Sequence, residues 1–260
     1  MRLSTLVALA LLSLSGCARH ASKPANSTQA ASKPPRQEDA KTAKAPAAAA
    51  ESDTLRYRVS PAQAPWRGAK EPLVTIVQFS DFECPFCSDA GQTLERLVTE
   101  HPQDVRIVFR NHPMPFHRFA FSAAEAALEA RAQKGDEAFW RMHDLLFAHQ
   151  QALAPKDLEG YARELGLDVS RFRRALQDRS HRATIESDIQ TAQALRATGT
   201  PWHFINGRSM PGAQPYELFA EVVQEELKVA KEMIARGVER SAVYAALTAK
   251  GKTQIVGDVP

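Results

Sequence analysis

Residues 73–90 read LVTIVQFSDFECPFCSDA, a run of apolar residues that leads directly into two cysteines three positions apart. The nearly continuous β-branched and aromatic residues at positions 73–79 predict a strand that is buried on both faces. From Cys84 onward the apolar residues recur instead at the spacing of a helix, and Val105–Phe109 then predicts a second buried strand. Strand, helix and strand in this order predict a crossover unit with parallel strand pairing.

The two cysteines fall where the predicted strand ends and the predicted helix begins. Residues three apart on a helix are about one turn apart, so the two sulfur atoms face the same side. Pro85 suits the first helical position, where its missing N–H group costs nothing. Cys84 then faces unpaired N–H groups and the positive end of the helix dipole, which favour its thiolate, the nucleophilic form. Cys87 lies one turn further in, and we expect it to be more buried and to resolve a mixed disulfide.

Two other roles for the cysteine pair are open. His112 and His117 have the spacing of the second half of a zinc site, but 24 residues separate them from the cysteines, compared with about 12 to 15 in a zinc finger. A structural disulfide would close a very small loop, so it would constrain the unfolded chain little. We therefore predict a redox role for the pair, with no metal and no cofactor.

The overall composition excludes several classes of protein. A net charge of +3 over 260 residues is too small, and too evenly spread, for a nucleic-acid surface. Three cysteines are too few for a fold that is stabilised by several disulfide bonds. Residues 18–53 are rich in Ala, Ser, Lys and Pro and contain no large apolar residue, so we predict a disordered tether there.

The third cysteine, Cys17, ends a segment that has the features of an export signal. The apolar run of residues 3–14 is too short to span a bilayer, which takes about 20 residues, but it has the length of the core of a secretory signal peptide. Residues 14–17, LSGC, resemble a bacterial lipobox. The resemblance implies a lipoprotein signal peptide over residues 1–17 and lipid on Cys17, with an ordinary signal peptide as the alternative. Ala18, in place of Asp, implies no retention at the inner membrane. We therefore expect an exported protein that is lipid-anchored to a bacterial membrane and faces the periplasm or cell envelope; the outer membrane is favoured, and which membrane holds the anchor is open.

The second half of the chain is mostly helical. Helical patterns run from about residue 119 to 197, with breaks near Gly135, Pro155 and Gly166. A strand pattern returns at 202–205, and the Asn-Gly pair at 206–207 predicts a tight turn into a strand over 208–210.

Two further patterns concern the ends of the folded region. Residues 55–59 alternate in the manner of a short edge strand. After Pro215 a helical pattern predicts a buried stripe, formed by Leu218, Phe219, Val222 and Val223. Residues beyond 236 carry one short helical pattern, so we predict a helical extension and tail over 237–260.

Three motifs resemble those of DsbA-like thioredoxin-fold proteins. Phe79–Cys87 resembles their active-site strand and turn, and Gly199–Gly207, reading GTPWHFING, resembles their cis-proline loop. Asn111–His117 resembles the link that these proteins carry before a helical insertion. The resemblance implies an α/β thioredoxin fold over residues 54–236, with an all-helical insertion at about 118–197 between the βαβ half and the cis-Pro ββα half.

The resemblance also implies roles for individual residues. Cys84 and Cys87 would form a redox-active disulfide and carry the catalysis. Pro201 would be cis and lie against them, and together with Thr200, Pro85 and Phe86 it would tune the sulfurs and bind substrate.

Two positions depart from the pattern of the family. Gln78 occupies a strand position where relatives often carry a buried acid, and a glutamine cannot accept a proton there. Phe86 stands where the strongest oxidants carry a histidine, so Cys84 should be less acidic than in those proteins.

The combined prediction is an exported, monomeric thiol–disulfide oxidoreductase. Its partners would be proteins with thiols or disulfides, an unidentified redox partner that recycles the dithiol, and a membrane held through the lipid anchor; we expect no nucleic acid. The direction, oxidase or reductase, is open. The alternative is a non-catalytic metal- or peptide-binding lipoprotein on the same fold.

Overall fold

A computed structural model describes residues 55–254 of the 260-residue chain. The predicted signal peptide over 1–17, the lipidation site Cys17 and the predicted tether over 18–53 lie outside the described residues, as do residues 255–260. None of the helices within residues 55–254 combines the length and the apolar character that crossing a membrane requires.

The described residues form alternating strands and helices around one sheet. The strands are β1 (Trp66–Gly68), β2 (Val74–Ser80), β3 (Val105–Asn111), β4 (Trp202–Ile205) and β5 (Arg208–Pro211). The helices are α1 (Pro85–Glu100), α2 (Ala120–Ala148), α3 (Pro155–Glu164), α4 (Val169–Gln177), α5 (Arg182–Ala194), α6 (Tyr216–Ala235) and α7 (Val243–Thr248), with a short 3-10 turn at Arg240–Ala242.

The sheet places β2 at its centre, in the order β1-β3-β2-β4-β5 over the described residues. β2 runs parallel to β3, in a register that extends from Val74 opposite Val105 to Ser80 opposite Asn111. Every residue of β2 is buried, because a central strand is covered on both faces. The predicted strand–helix–strand unit is therefore confirmed, and so is the mixed α/β fold.

The helical insertion lies between β3 and β4, as predicted, and consists of α2 to α5. α2 is interrupted at Lys134 and Gly135, where Gly135 has a φ of 80°; this is the break that the sequence predicts. The insertion shares its core with the sheet, since Phe139 of α2 packs edge-to-face on Phe109 of β3 with 5.4 Å between ring centroids.

The predicted edge strand at 55–59 is wrong. Tyr57 forms one isolated bridge with Lys252, and its N–H group donates to the carbonyl of Gly207 at 2.8 Å. The backbone of this segment thus bonds to a turn and to the C-terminal region, neither of which is an edge of the sheet. The edge of the sheet beside β3 is formed by β1, which pairs antiparallel with it.

The predicted stripe on α6 is correct in part. Phe219 and Val223 are buried, and the stripe continues through Leu227 and Ala230. Leu218 is 45% exposed and Val222 is partly buried, because the buried row follows positions three or four apart from Phe219 and leaves these two residues beside it.

The hairpin between β4 and β5 turns at Asn206 and Gly207, which have φ angles of 46° and 88°. Two successive positive φ angles are those of the tight turn that an Asn-Gly pair favours. The buried side chain of Asn206 also accepts a hydrogen bond from the Thr75 N–H and donates one to the Leu73 carbonyl, both at 2.9 Å. These bonds hold the hairpin against the start of β2, which fixes the position of β4 beside β2.

Candidate active site

Cys84 occupies the cap position of α1, with φ −76° and ψ 118°, and Pro85 is the first helical residue. The structure therefore begins the helix at the residue that the sequence predicts. Cys84 is 5% exposed and Cys87 is completely buried, in the predicted order. Both side chains are free thiols in this structure, which represents the reduced form of the pair.

The surroundings of Cys84 favour its thiolate. The pKa of Cys84 is lowered from 9.0 to about 6, chiefly because the Cys87 thiol donates a hydrogen bond to it. Burial opposes this shift, whereas the Thr200 side chain and the backbone N–H groups of Cys87 and Phe86 add to it. The N–H contribution is the expected effect of a helix N-terminus on a sulfur anion.

The pKa of Cys87 shifts in the opposite direction. Its pKa is raised, first by burial and then by its hydrogen bond and charge interaction with Cys84. At neutral pH the reduced pair therefore consists of an ionisable, slightly exposed Cys84 and a buried, protonated Cys87. This asymmetry suits Cys84 as the nucleophile and Cys87 as the resolving group.

The sheet brings a second loop against Cys84. β4 runs antiparallel to β2, with Trp202 opposite Phe79, so the residues before β4 meet those that follow β2. The Thr200–Pro201 peptide bond in this loop is cis, and the Thr200 carbonyl oxygen lies 3.4 Å from the Cys84 sulfur. The structure thus brings together Thr200, Pro201 and the cysteine pair, although they are more than 100 residues apart in the chain.

Three large side chains of this region differ in their exposure. Phe86, between the two cysteines, is 62% exposed, and Phe116 is 74% exposed. Trp202 is half-buried, and its indole N–H donates to the Ser209 hydroxyl at 2.9 Å. Phe86 therefore presents an apolar surface beside Cys84, whereas Trp202 has a hydrogen-bond partner within its own hairpin.

Asp81 is a site residue that the sequence reasoning missed. Its buried carboxylate accepts hydrogen bonds from the N–H groups of Glu83 and Met114 and contacts His117 Nδ1, each at 2.7 Å. The N–H group of Asp81 itself donates to the Cys87 sulfur at 3.4 Å. Asp81 thus ties the cysteine turn to the loop that follows β3. An acidic residue three positions before the first cysteine was the available signal.

Gln78 is buried in the sheet opposite His203, on the neighbouring strand β4. Burial lowers the pKa of His203 to about 4, so this histidine is neutral at physiological pH. Neither Gln78 nor the neutral His203 is the buried acidic residue that the family resemblance leads one to expect at position 78.

The two histidines of the zinc alternative have other surroundings. His117 Nδ1 contacts Asp81, and His112 is buried in a setting that lowers its pKa. Within residues 55–254, no three His, Cys, Asp or Glu side chains are grouped so that they could hold a metal ion.

Comparison with known proteins agrees with this architecture. Residues 61–225 match the family model described as Thioredoxin. A periplasmic thioredoxin-like protein from Salmonella enterica serovar Typhimurium is 27% identical with a TM-score of 0.54, and the match covers 65% of this chain and 92% of that one.

Two more distant structures share the fold. BdbD from Bacillus subtilis is 22% identical with a TM-score of 0.60, and the match covers 67% of this chain and 98% of that one. The thiol-disulfide exchange protein alpha-DsbA2 from Wolbachia pipientis is 20% identical with a TM-score of 0.56, over 62% of this chain and 86% of that one.

Among curated proteins, the chain is 44% identical over 167 residues to a protein named Na(+)/H(+) antiporter NhaA 3 from Salinispora tropica. The match covers 64% of this chain and 25% of that protein. A protein of the same kind from Herminiimonas arsenicoxydans is 37% identical over 147 residues, which is 56% of this chain and 23% of that protein. The chain spans about a quarter of the length of these relatives.

The low pKa of Cys84 predicts a defined pH dependence for the reduced protein. A group whose pKa falls on folding stabilises the folded state fully above its unfolded pKa, and this stabilisation is lost as the pH falls through its folded pKa. The free energy of unfolding of the reduced protein should therefore rise between about pH 6 and pH 9, relative to that of Cys84→Ser. Thiolate absorbance and denaturant unfolding across this range measure the effect. Equal pH profiles for the two proteins would contradict it.

Proposed function

The chain belongs to the thioredoxin family, and from this premise we propose that it is a DsbA-like thiol–disulfide oxidoreductase that exchanges disulfides with proteins through Cys84 and Cys87. One observation carries the proposal: a Cys84 sulfur whose thiolate is favoured at a helix N-terminus, with Cys87 donating to it and a cis-proline loop against it. A solved thiol–disulfide exchange protein, alpha-DsbA2 from Wolbachia pipientis, has the same fold.

In the reductase direction, the Cys84 thiolate attacks one sulfur of a substrate disulfide. A Cys84–substrate disulfide forms, and the other substrate sulfur leaves as a thiolate that takes up a proton. Cys87 then loses its proton and attacks the Cys84 sulfur, which releases the second substrate sulfur and leaves a Cys84–Cys87 disulfide. The oxidase direction is the same series of steps in reverse, and the reduction potential of the dithiol together with its redox partner decides which direction runs.

The site also has features suited to a protein substrate. Phe86 offers an exposed apolar surface beside the nucleophile, and the cis-proline loop contacts the Cys84 sulfur through its backbone at Thr200. Gln78 cannot accept a proton, so the proton of Cys87 passes to solvent or to the departing substrate thiolate.

Export and lipid anchoring belong to the same proposal. The LSGC sequence that ends at Cys17 supports both, and the similarity to a periplasmic protein supports export alone. Sodium–proton antiport is not proposed, because the match to the proteins of that name spans only about a quarter of their length.

Mass spectrometry of the mature N-terminus tests the anchor. We expect a chain that begins at Cys17 and carries covalent lipid. A mature chain that begins elsewhere, or an unmodified Cys17, would show that the lipobox resemblance is coincidental.

Substitution of each cysteine tests the exchange reaction. Cys84→Ser should reduce catalysed insulin reduction and thiol oxidation to the uncatalysed background, because the nucleophile is lost. Cys87→Ser should still attack a disulfide but should accumulate a Cys84 mixed disulfide, which mass spectrometry detects. Wild-type rates in the Cys84→Ser protein would favour the alternative, a binding protein that does no redox chemistry.

A further inference from the structure

One side chain from the helical insertion reaches the turn that carries Cys84. Gln150 follows the C-terminal end of α2, and its amide nitrogen donates to two backbone carbonyls, those of Phe82 and Cys84, both at 2.9 Å. The two acceptors lie 68 and 66 residues away in the chain. A single side chain therefore bonds to the backbone of the residue before Glu83 and to that of the residue after it.

These two carbonyls define the start of α1. The Cys84 carbonyl also accepts the N–H of Cys87 at 3.1 Å, which is the first hydrogen bond of the helical turn. With the Phe82 and Cys84 carbonyls both held, the backbone of Glu83 and Cys84 has little freedom to rotate. The direction of the Cys84 side chain depends on that backbone, and so does its approach to the N–H groups of Phe86 and Cys87.

Asp81 holds the same turn from the other side. Its carboxylate accepts the Glu83 N–H at 2.7 Å, and its carbonyl accepts the Cys84 N–H at 3.2 Å. The N–H groups of Glu83 and Cys84 are thus bound within the turn itself, whereas the carbonyls of Phe82 and Cys84 are bound by the insertion through Gln150.

Aromatic packing anchors the end of α2, just before Gln150. Phe147, three residues earlier, packs on Phe82 with 5.0 Å between ring centroids, and Phe82 stacks on Phe109 at 5.2 Å. This aromatic contact fixes the separation between the end of α2 and the cysteine turn. The amide of Gln150 then needs little further ordering to reach both carbonyls.

We propose that Gln150 is a positioning residue, which holds the turn before α1 so that the Cys84 sulfur faces the helix N-terminus. The inference rests on the proposed exchange reaction for its effect on rate, but its effect on the ionisation of Cys84 is independent of that reaction. It gives the helical insertion a direct part in the chemistry of the dithiol.

The test compares Gln150→Met with Gln151→Met. Methionine keeps the length of the side chain at position 150 and removes the donor, and Gln151 is the adjacent, exposed glutamine. In Gln150→Met we expect the pKa of Cys84, from thiolate absorbance, to move up towards its ordinary value. The rate of mixed-disulfide formation near pH 6 should fall about two- to ten-fold, which corresponds to one net hydrogen bond. Gln151→Met should match the wild type in both.

The outcomes separate the positioning role from a structural one. A Gln150→Met protein with a lower melting temperature but an unchanged Cys84 titration would overturn the proposal. If Gln150→Met does not fold, Gln150→Asn supplies the same comparison, since its amide is one methylene too short to reach both carbonyls and should shift the titration in the same direction. If the wild type exchanges no disulfides, the proposed function fails, and the titration still decides the role of Gln150.

Discussion

The site depends on one electrostatic requirement: a sulfur anion must be held at the first turn of a helix while a second sulfur stays protonated beside it. The chain meets this requirement by ending β2 at Ser80 and starting α1 at Pro85. Cys84 then occupies the cap, where backbone N–H groups are available to it, and Cys87 is buried one turn further in. The lowered pKa of one thiol and the raised pKa of the other both follow from this placement.

The rest of the fold supplies the partners of this turn. Parallel pairing of β2 with β3 and antiparallel pairing of β2 with β4 bring two distant loops to the end of β2 at which the helix starts. One loop places the carbonyl of Thr200, which precedes cis-Pro201, at the Cys84 sulfur, and the other places His117 on the Asp81 carboxylate. The interactions that favour the thiolate stabilise the reduced form, and a stabilised reduced form makes a dithiol more oxidising. Phe86 adds no cationic group to this effect.

The sequence predicts the local parts of this arrangement well. Three features depend on residues that are neighbours in the chain: the buried β2, the start of α1 and the Asn206-Gly207 turn. Their patterns can therefore be recognised from the sequence alone. The edge strand at 55–59 was wrong because its backbone bonds are made with Gly207 and Lys252, which are about 150 residues or more away. Gln150 was missed for the same reason, since it acts through contacts with Phe82 and Cys84 that only the folded chain creates. Asp81 was missed because its bonds to Met114 and His117 cannot be read from neighbouring residues.

The reduction potential of the Cys84–Cys87 pair, measured by equilibration with glutathione buffers, tests the central claim most directly. A redox-active pair should have a potential between about −270 and −120 mV, the range from thioredoxin to DsbA. A potential below about −300 mV is typical of structural disulfides. Such a value would contradict the claim and would mean that the pair forms a structural disulfide.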